Sequence, residues 1–390
     1  MKVVLCNKEH PDYGVVTVPL PIPDKEYGHC MDMLDLLEIG DVTAHDCYVD
    51  QIIDAPPSLD MLEGTMVNVD EIDFLARSLD RYTYDELAKF QCMTATRDHW
   101  DMQSLINLSF CCEQTTVITD FSKLEDVGKS HYLTQNGGCA PKEIFDHLNG
   151  KSIARELIAG GEGKVTPYGV VFENAMRLEP RYDGNSFPPY GDQPYRMEFE
   201  IESPKDGGVV LFLPQPEKRL ERLLERAGIR DLEELKINSW HSDLPETITD
   251  RLDVSYESFY ELNRLCNVLW KLDNTQMDKL SAAVHFAWPE HAFQIRHLAE
   301  NLEQFVFIPG VKTAEEYGRY MIRDSGRFEY DEELGEYYDY AKYGLNRFAG
   351  ECGEFNDMGY ISYHGTMSLE ELMMENPAEQ LQGMEMDMSL

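Results

Sequence analysis

Shifted by 190 positions, the chain lies over itself: residues 69–173 align with 259–363 without a gap. Glu71 falls on Glu261, Leu75 on Leu265, Leu79 on Leu269, Lys89 on Lys279, Leu108 on Leu298 and Ile118 on Ile308. Glu125 falls on Glu315, Gly128 on Gly318, Glu143 on Glu333, Ala159-Gly160 on Ala349-Gly350, Gly163 on Gly353 and Gly169 on Gly359. Near the start the shift is 193, with Leu20-Pro21 on Leu213-Pro214, Pro23 on Pro216 and Lys25 on Lys218. Glycines recur at helix stops and turns, where the backbone has to adopt conformations other residues resist. The pattern reads as a tandem duplication, which means that each copy has to bury its own core.

Local patterns fill in the unit. Lys2–Asn7 and Gly14–Leu20 read as strands around a Pro11–Gly14 turn, and Asp24–Ile39 as a helix stopped by Gly40. Asp41–Asp54 alternates loosely, as a strand would, up to Pro56-Pro57. Helices are expected over Val69–Leu79, Asp85–Met93, Asp98–Cys111, Leu124–Leu133 and Pro141–Ala159, then a hairpin over Val165–Glu173. In the second copy, Arg196–Glu202 pairs with Val209–Leu213 and Glu217–Ala227 is a helix. Further helices fit Ala314–Gly326 and Asp331–Phe348, and Ser368–Glu371 is a capping-box start. The expected fold class is α+β: two tandem copies of an elongated three-part unit, with N-terminal hairpin and helix, helical middle, and C-terminal helices and hairpin. The copies span 1–175 and 196–366, joined by a Pro/Gly/Tyr-rich linker over 176–195 and followed by a Met-rich acidic tail over 367–390, disordered beyond Pro377.

A formal net charge of −38 over 390 residues makes nucleic acid an unlikely direct ligand, because phosphate binding needs Lys and Arg. A protein that itself holds nucleic acid is the more natural partner. Hydrophobic residues make up 43% of the chain, enough for real cores, and the abundant tyrosines argue against a simple acidic tail. The charge is uneven: Glu26–Ala76 holds thirteen carboxylates and Phe348–Leu390 nine, with no Lys or Arg in either window. The first window supplies the candidate partner-binding residues Asp32, Asp35, Asp41, Asp46, Asp50, Asp54, Asp60, Glu63, Asp70 and Asp73. A second set comes from the acid-and-tyrosine stretch Ala314–Phe348: Glu315, Glu316, Asp324, Asp331, Glu332, Glu333, Glu336 and Asp339. Tyr337, Tyr338, Tyr340 and Tyr343 in that stretch are candidates for a packing or dimer surface.

Catalytic motifs do not emerge. Ala159–Lys164 (AGGEGK) lacks phosphate-loop spacing and precedes a strand, so a helix stop and turn fit better. His285, His291 and His297 are six apart and would point in different directions on a helix, unlike zinc ligands. Cys111-Cys112 reads as core filler, and no pair of carboxylates stands out as acid and base. No metal, cofactor or enzymatic activity is expected. Nine irregularly spaced cysteines, no apolar leader and no run of about 18 apolar residues point to a reduced cytoplasmic protein without membrane spans.

Tyr330–Gly344 (YDEELGEYYDYAKYG), preceded by Ala314–Gly326, resembles the C-terminal part of the ArdA antirestriction proteins, whose pattern runs "YFDYEAYGRDL" before a Gly-rich hairpin. Tyr338-Asp339-Tyr340 and Tyr343-Gly344 match; Lys342 and Leu345-Asn346-Arg347 depart. Ala154–Leu157 resembles the "GRDL" end, Lys2–Pro21 the family's opening hairpin with Asn7, Tyr13 and Gly14, and Tyr260–Asn263 the start of its central helix. The resemblance implies a non-enzymatic DNA mimic made by mobile elements, working as an elongated homodimer in the DNA groove of Type I restriction–modification enzymes. Tandem units would make this chain a covalent pseudo-dimer, open to further homodimerisation. A charge of 38 corresponds to roughly 65 Å of duplex, about 19 base pairs. Other readings are a DNA mimic aimed at a CRISPR nuclease, repressor or nucleoid protein, or an acidic adaptor.

Overall fold

The first turns of structure follow from alternation: Val3 and Leu5 point one way from Lys2–Cys6 (β1), and Val16 and Val18 from Val15–Pro19 (β2) meet them in an antiparallel pair. A computed structural model describes residues 1–374 except 98, 175, 190–193, 206 and 231–234. Its Cα positions fall into two compact units. One comprises residues 1–193, 203–209 and 216–229; the other, residues 194–202, 210–215 and 230–390. Each is α+β.

In the first unit, β1 and β2 are joined by helix Tyr27–Asp35 (α1) and strands Cys47–Ile53 (β3) and Met66–Val67 (β4), giving a sheet of order β2-β1-β3-β4. Asn68 caps Val69–Asp80 (α2): its Oδ1 accepts from the Asp70 and Glu71 amides, and its Nδ2 donates to the Asp41 carbonyl. Tyr84–Thr94 (α3) begins with a Thr83–Glu86 capping box, and Met102–Cys111 (α4) is capped by Asp101. Thr115–Ile118 (β5), Leu124–Gln135 (α5), Lys142–Asp146 (α6) and Gly150–Ala159 (α7) precede the hairpin Lys164–Thr166 (β6) and Gly169–Glu173 (β7), in a sheet of order β5-β7-β6. One core links β1–β3 to α1, α2 and α4 through Leu5, Val18, Tyr27, Leu34, Leu75 and Leu105.

Met197–Ile201 (β8), Val209–Leu213 (β9) and Ile237–Ser242 (β10) form a sheet of order β10-β8-β9, while Glu217–Arg226 (α8) belongs to the first unit. The second unit continues with Glu246–Thr249 (α9), Phe259–Leu269 (α10), Asn274–Ala287 (α11), Ala292–Glu300 (α12), Phe305–Pro309 (β11), Ala314–Arg319 (α13), Tyr340–Phe348 (α14), Gly353–Phe355 (β12), Gly359–Tyr363 (β13) and Leu369–Leu372 (α15). Its second sheet has the order β11-β13-β12. Both β2 and β9 lead into a cis X-Pro bond, at Pro21 and Pro214.

Several boundaries differ from the sequence reading. The helix expected over Pro141–Ala159 is two: α6 ends at Asp146 with His147 as its C-cap, and Asn149 caps α7, accepting from the Ser152 amide at 3.0 Å. Asp331–Phe348 breaks the same way: a 3-10 turn over Glu332–Tyr337, extended Tyr338, then Asp339 capping α14. The helix ending near Gly326 changes at Tyr320 from α to a π turn, with Gly326 at φ +67° just after it. Asp24–Ile39 is helical only over α1, since Pro23 and the turns at Glu38 and Gly40 (φ +54° and +93°) hold its ends. The strand expected over Asp41–Asp54 begins at Cys47, Asp41 being used in a tight turn.

The stretch read as a linker is partly core. Tyr182 is 1% exposed, and Asn107 on α4 accepts from the Arg181 and Tyr182 amides (2.8 and 2.9 Å) while donating to the Tyr182 carbonyl (2.7 Å). Burying such a ring stabilises by about 1.5–3 kcal/mol. The end expected to be disordered beyond Pro377 lies outside the described residues.

Candidate partner-binding surface

The first acidic region is held by its own backbone. Asp41 accepts from the Thr43 and Ala44 amides (2.8 and 2.7 Å), and these hydrogen bonds hold its carboxyl below the usual range. Asp46 accepts from the Gly40 and Asp41 amides (3.0 and 2.9 Å), and Glu63 from Ile52 (2.8 Å). Asp50 lies exposed on β3, Asp54 just beyond it at φ +56°, and Asp60 in the 3-10 turn Pro57–Leu62. Among the described residues none of Asp46, Asp50, Asp54, Asp60 or Glu63 has a Lys or Arg partner.

Other carboxylates of that window are neutralised. Along α8, Arg219, Arg222 and Arg226 share one face, and each meets acids that the sequence had left without cations. Arg222 grips Asp70 with both Nε and Nη2 (3.1 and 2.8 Å to Oδ2); burial opposes its charge, and Asp70 more than offsets this. Arg219 bonds Asp24 at 2.7 Å and lies 3.7 Å from Asp73, which Arg77 also holds at 2.9 Å. Arg226 reaches Glu71 at 3.1 Å and the Val42 carbonyl at 2.7 Å, beside the Tyr182 hydroxyl, which itself donates to Glu71 at 2.7 Å. Lys218 pairs with Asp32 and lies 3.7 Å from Asp35. Asp32 and Asp35 remain exposed; Asp73 is buried and Asp70 half-buried, so these last two offer no free charge at the surface.

The second region, Ala314–Phe348, exposes all eight of its candidate carboxylates. Glu316 closes a capping box, accepting from the Lys312 and Thr313 amides (2.7 and 3.1 Å), which lowers its pKa. Asp331 accepts from Glu333 and Asp339 from Lys342, both at 3.0 Å. Glu315 pairs with Arg319 at 3.0 Å; among the described residues Asp324, Glu332, Glu333 and Glu336 have no ion pair. The tyrosines divide. Tyr337 is 84% exposed and Tyr338 lies at the edge of exposure, whereas Tyr340 is buried with its hydroxyl 2.9 Å from that of Tyr330. Tyr343 packs edge-on against Phe328.

The frame under these charges is a helix crossing. A Cβ on Gly318 would overlap the Tyr340 carbonyl, and one on Gly344 the Ala314 carbonyl, so α13 and α14 approach only because both are glycine. Gly128 and Gly150 stand in the same relation between α5 and α7. Beyond the crossing, Glu351 accepts from Tyr317 and Tyr360 (2.6 and 2.5 Å) and pairs with Arg347 (3.1 Å). Burial works against its charge, but these three partners together hold its pKa low.

Neither the α8 arginines nor Glu351 stood out beforehand. The arginines did leave a signal, since their i, i+3, i+7 spacing on a helix marks a basic stripe in an otherwise acidic chain. Among the described residues no group of three or more His, Cys, Asp and Glu is placed to hold a metal ion, and no helix is long and apolar enough to cross a membrane.

What the geometry defines is a scaffold presenting fixed, exposed carboxylates. Residues 205–362 match the model of the antirestriction protein (ArdA) family, so that segment is similar to it. No curated protein matches the chain.

Proposed function

We propose that the chain is a non-enzymatic DNA mimic that acts in the cytoplasm, made as two tandem ArdA-like units and inhibiting a Type I restriction–modification enzyme from its DNA groove. Antirestriction is the role of the matched family; mimicry and the Type I target go further. The observation that supports them best is that Asp41, Glu63, Glu316, Asp331 and Asp339 are exposed and are fixed by backbone amides. A preset carboxylate loses less freedom on binding than one on a flexible tail, so it competes with phosphate at lower entropic cost. The tandem reading rests on the order of elements, since α2–α4, β5, α5, α7 and β7 recur about 190 residues later as α10–α12, β11, α13, α14 and β13.

The test is inhibition of purified Type I enzyme. Cleavage and methylation should fall as the protein is added, duplex DNA should compete for the same site, and rising salt should weaken binding. Full enzyme activity at saturating protein, or binding indifferent to duplex, would sink the reading.

A further inference from the structure

A tryptophan stacked against an arginine follows a helix in each unit, and the two pairs are placed differently. After α3, Arg97 lies over Trp100 at 4.7 Å from the ring centre, and the indole N–H donates to the Thr94 carbonyl at 2.8 Å, so that ring is tied to its own chain. After α11, Arg251 lies over Trp288 at 3.4 Å, yet Trp288 is 59% exposed. Among the described residues the Trp288 indole N–H has no acceptor, and the Arg251 guanidinium has no carboxylate within ion-pair distance. Trp288 is also the C-cap of α11 at φ +50° and ψ +56°, a left-handed place where Gly or Asn is usual and a bulky ring is strained. Neither residue comes from the repeat, since the positions 190 earlier hold Asp98 and Met61. The loop that supplies Arg251 is fastened at its other end, where Glu257 accepts from the Ala292 amide at 3.0 Å, and it carries Tyr256, 83% exposed. Trp, Tyr and Arg are the residue types that dominate binding energy at protein interfaces.

We propose that Arg251 and Trp288 make a second contact with the inhibited enzyme, on its protein surface beside the DNA groove rather than inside it. The inference rests on the inhibitory reading and adds to it a contact that phosphate does not make. Charge selects the occupant. In a chain with 72 carboxylates against 34 Lys and Arg, Arg251 is left with donors and no acid, so its complement is a carboxylate. A groove that binds phosphate is lined with cations, and a carboxylate there would oppose DNA, so the complementary acid lies outside it. The exposed indole takes an apolar side chain next to that acid. Mimicry by carboxylates draws any phosphate-binding groove alike, whereas a contact outside the groove separates one enzyme from another.

The test is binding of the full chain to purified Type I enzyme across a salt series, with two variants. Trp288→Gly should weaken binding tenfold or more without changing its salt dependence, whereas loss of carboxylates changes that dependence. Arg251→Glu should weaken binding as well, although it adds negative charge, which by itself strengthens attraction to a cationic groove. Folding is followed on the same variants without enzyme. In Trp288→Gly, relief of the left-handed backbone and loss of the stack oppose each other, so the folding equilibrium should move less than tenfold. Equal affinity of Trp288→Gly and the unaltered chain, or tighter binding by Arg251→Glu, would overturn the second contact and leave the inhibitory reading standing. A folding loss beyond tenfold would make the pair an internal fastening and overturn the contact too. An unaltered chain that does not bind the enzyme would remove the inhibitory reading and this contact with it.

Discussion

Asp73 and Asn263 stand 190 positions apart and catch the same piece of backbone, the residue after a strand-ending proline. Asp73 accepts from the Ile22 amide at 2.6 Å, and Asn263 from the Gln215 amide at 2.8 Å. Asn263 completes the exchange alone, its Nδ2 donating to the Gln215 carbonyl at 2.8 Å. Asp73 has no proton to give, so Arg77 supplies it, donating to the Ile22 carbonyl at 2.6 Å while pairing with Asp73. Burial pushes the Asp73 carboxyl up, and Arg77 and Arg219 pull against it. One neutral side chain in one region does the work of a charged pair and a borrowed arginine in the other. The difference shows that an acidic residue in this chain is not automatically part of a negative surface: some acids are internal fastenings, and their cations arrive from far along the sequence.

The largest expected effect comes from removing such a cation. Arg226→Ala strips Glu71 of its buried cation and removes the shorter of two hydrogen bonds to the Val42 carbonyl, leaving that from Asn68 Nδ2 at 3.2 Å. Breaking a buried pair on one side costs about 3–5 kcal/mol. Chemical denaturation should show that loss, and Glu71→Gln in the same chain should return part of it. A cost under about 1 kcal/mol would mean that the α8 arginines are surface ornaments and the contrast above is empty.

Exchanging the two fastenings tests the contrast directly, and the two swaps should be unequal. Asn263→Asp buries a charge at a fully covered site and removes the donor to Gln215, at a cost of about 3 kcal/mol. Burial raises a carboxyl's pKa, so the folded variant holds its proton more tightly than the unfolded chain, and its deficit should shrink as pH falls. Asp73→Asn gives the Ile22 carbonyl a donor and leaves Arg77 with Asp24 at 3.9 Å, so about 1 kcal/mol is expected. Equal costs would show that the arginines contribute nothing to the choice of residue.

Much of the frame was legible because its causes are local. Gly169 and Gly359, at φ +155° and +156°, recur where a hairpin needs them, and the capping box at Ser368 lies within four residues. The broken helices near Asn149 and Asp339 escaped because a capping side chain overrides apolar periodicity that continues through it. The candidate surface was legible only as composition. Nothing near Asp70 in the sequence reveals Arg222, 152 residues away, and nothing near Glu71 reveals Tyr182, 111 residues away. Likewise Gly344, visible as part of a motif, has its reason in Ala314 across a helix crossing.

Glu351 offers a smaller, pH-dependent comparison, because the position 190 earlier is Gly161 and the first unit has no counterpart. Its depressed folded pKa means that its stabilisation is present above the ordinary carboxylate range and lost as pH falls through the lowered value. Glu351→Gln should cost about 1–2 kcal/mol at neutral pH and flatten the acid limb for the hairpin of β12 and β13, followed by amide exchange. The hairpin of β6 and β7 should be indifferent to the substitution. An acid limb unchanged in the variant would place the loss elsewhere.

The smallest effect on stability should come from the residues with the largest proposed effect on binding. Asp46, Asp50, Asp54 and Asp60 together, changed to Asn, remove charge without removing a cation's partner, since none pairs with Lys or Arg among the described residues. Asp50, Asp54 and Asp60 are exposed and Asp46 is half-buried; changes at exposed positions cost within about 0.5 kcal/mol each, and relief of self-repulsion works in the opposite direction. Asp46→Asn, which weakens two backbone acceptor contacts, should account for most of any loss. The same variant should bind the restriction enzyme more weakly and with a shallower dependence on salt, because fewer charges enter the contact. Asp70→Asn and Asp73→Asn should do the reverse, disturbing stability while leaving the salt dependence alone, because their charge is already spent on Arg222, Arg77 and Arg219. A salt dependence that falls equally in both sets would mean that total charge, rather than the placement of exposed carboxylates, governs recognition.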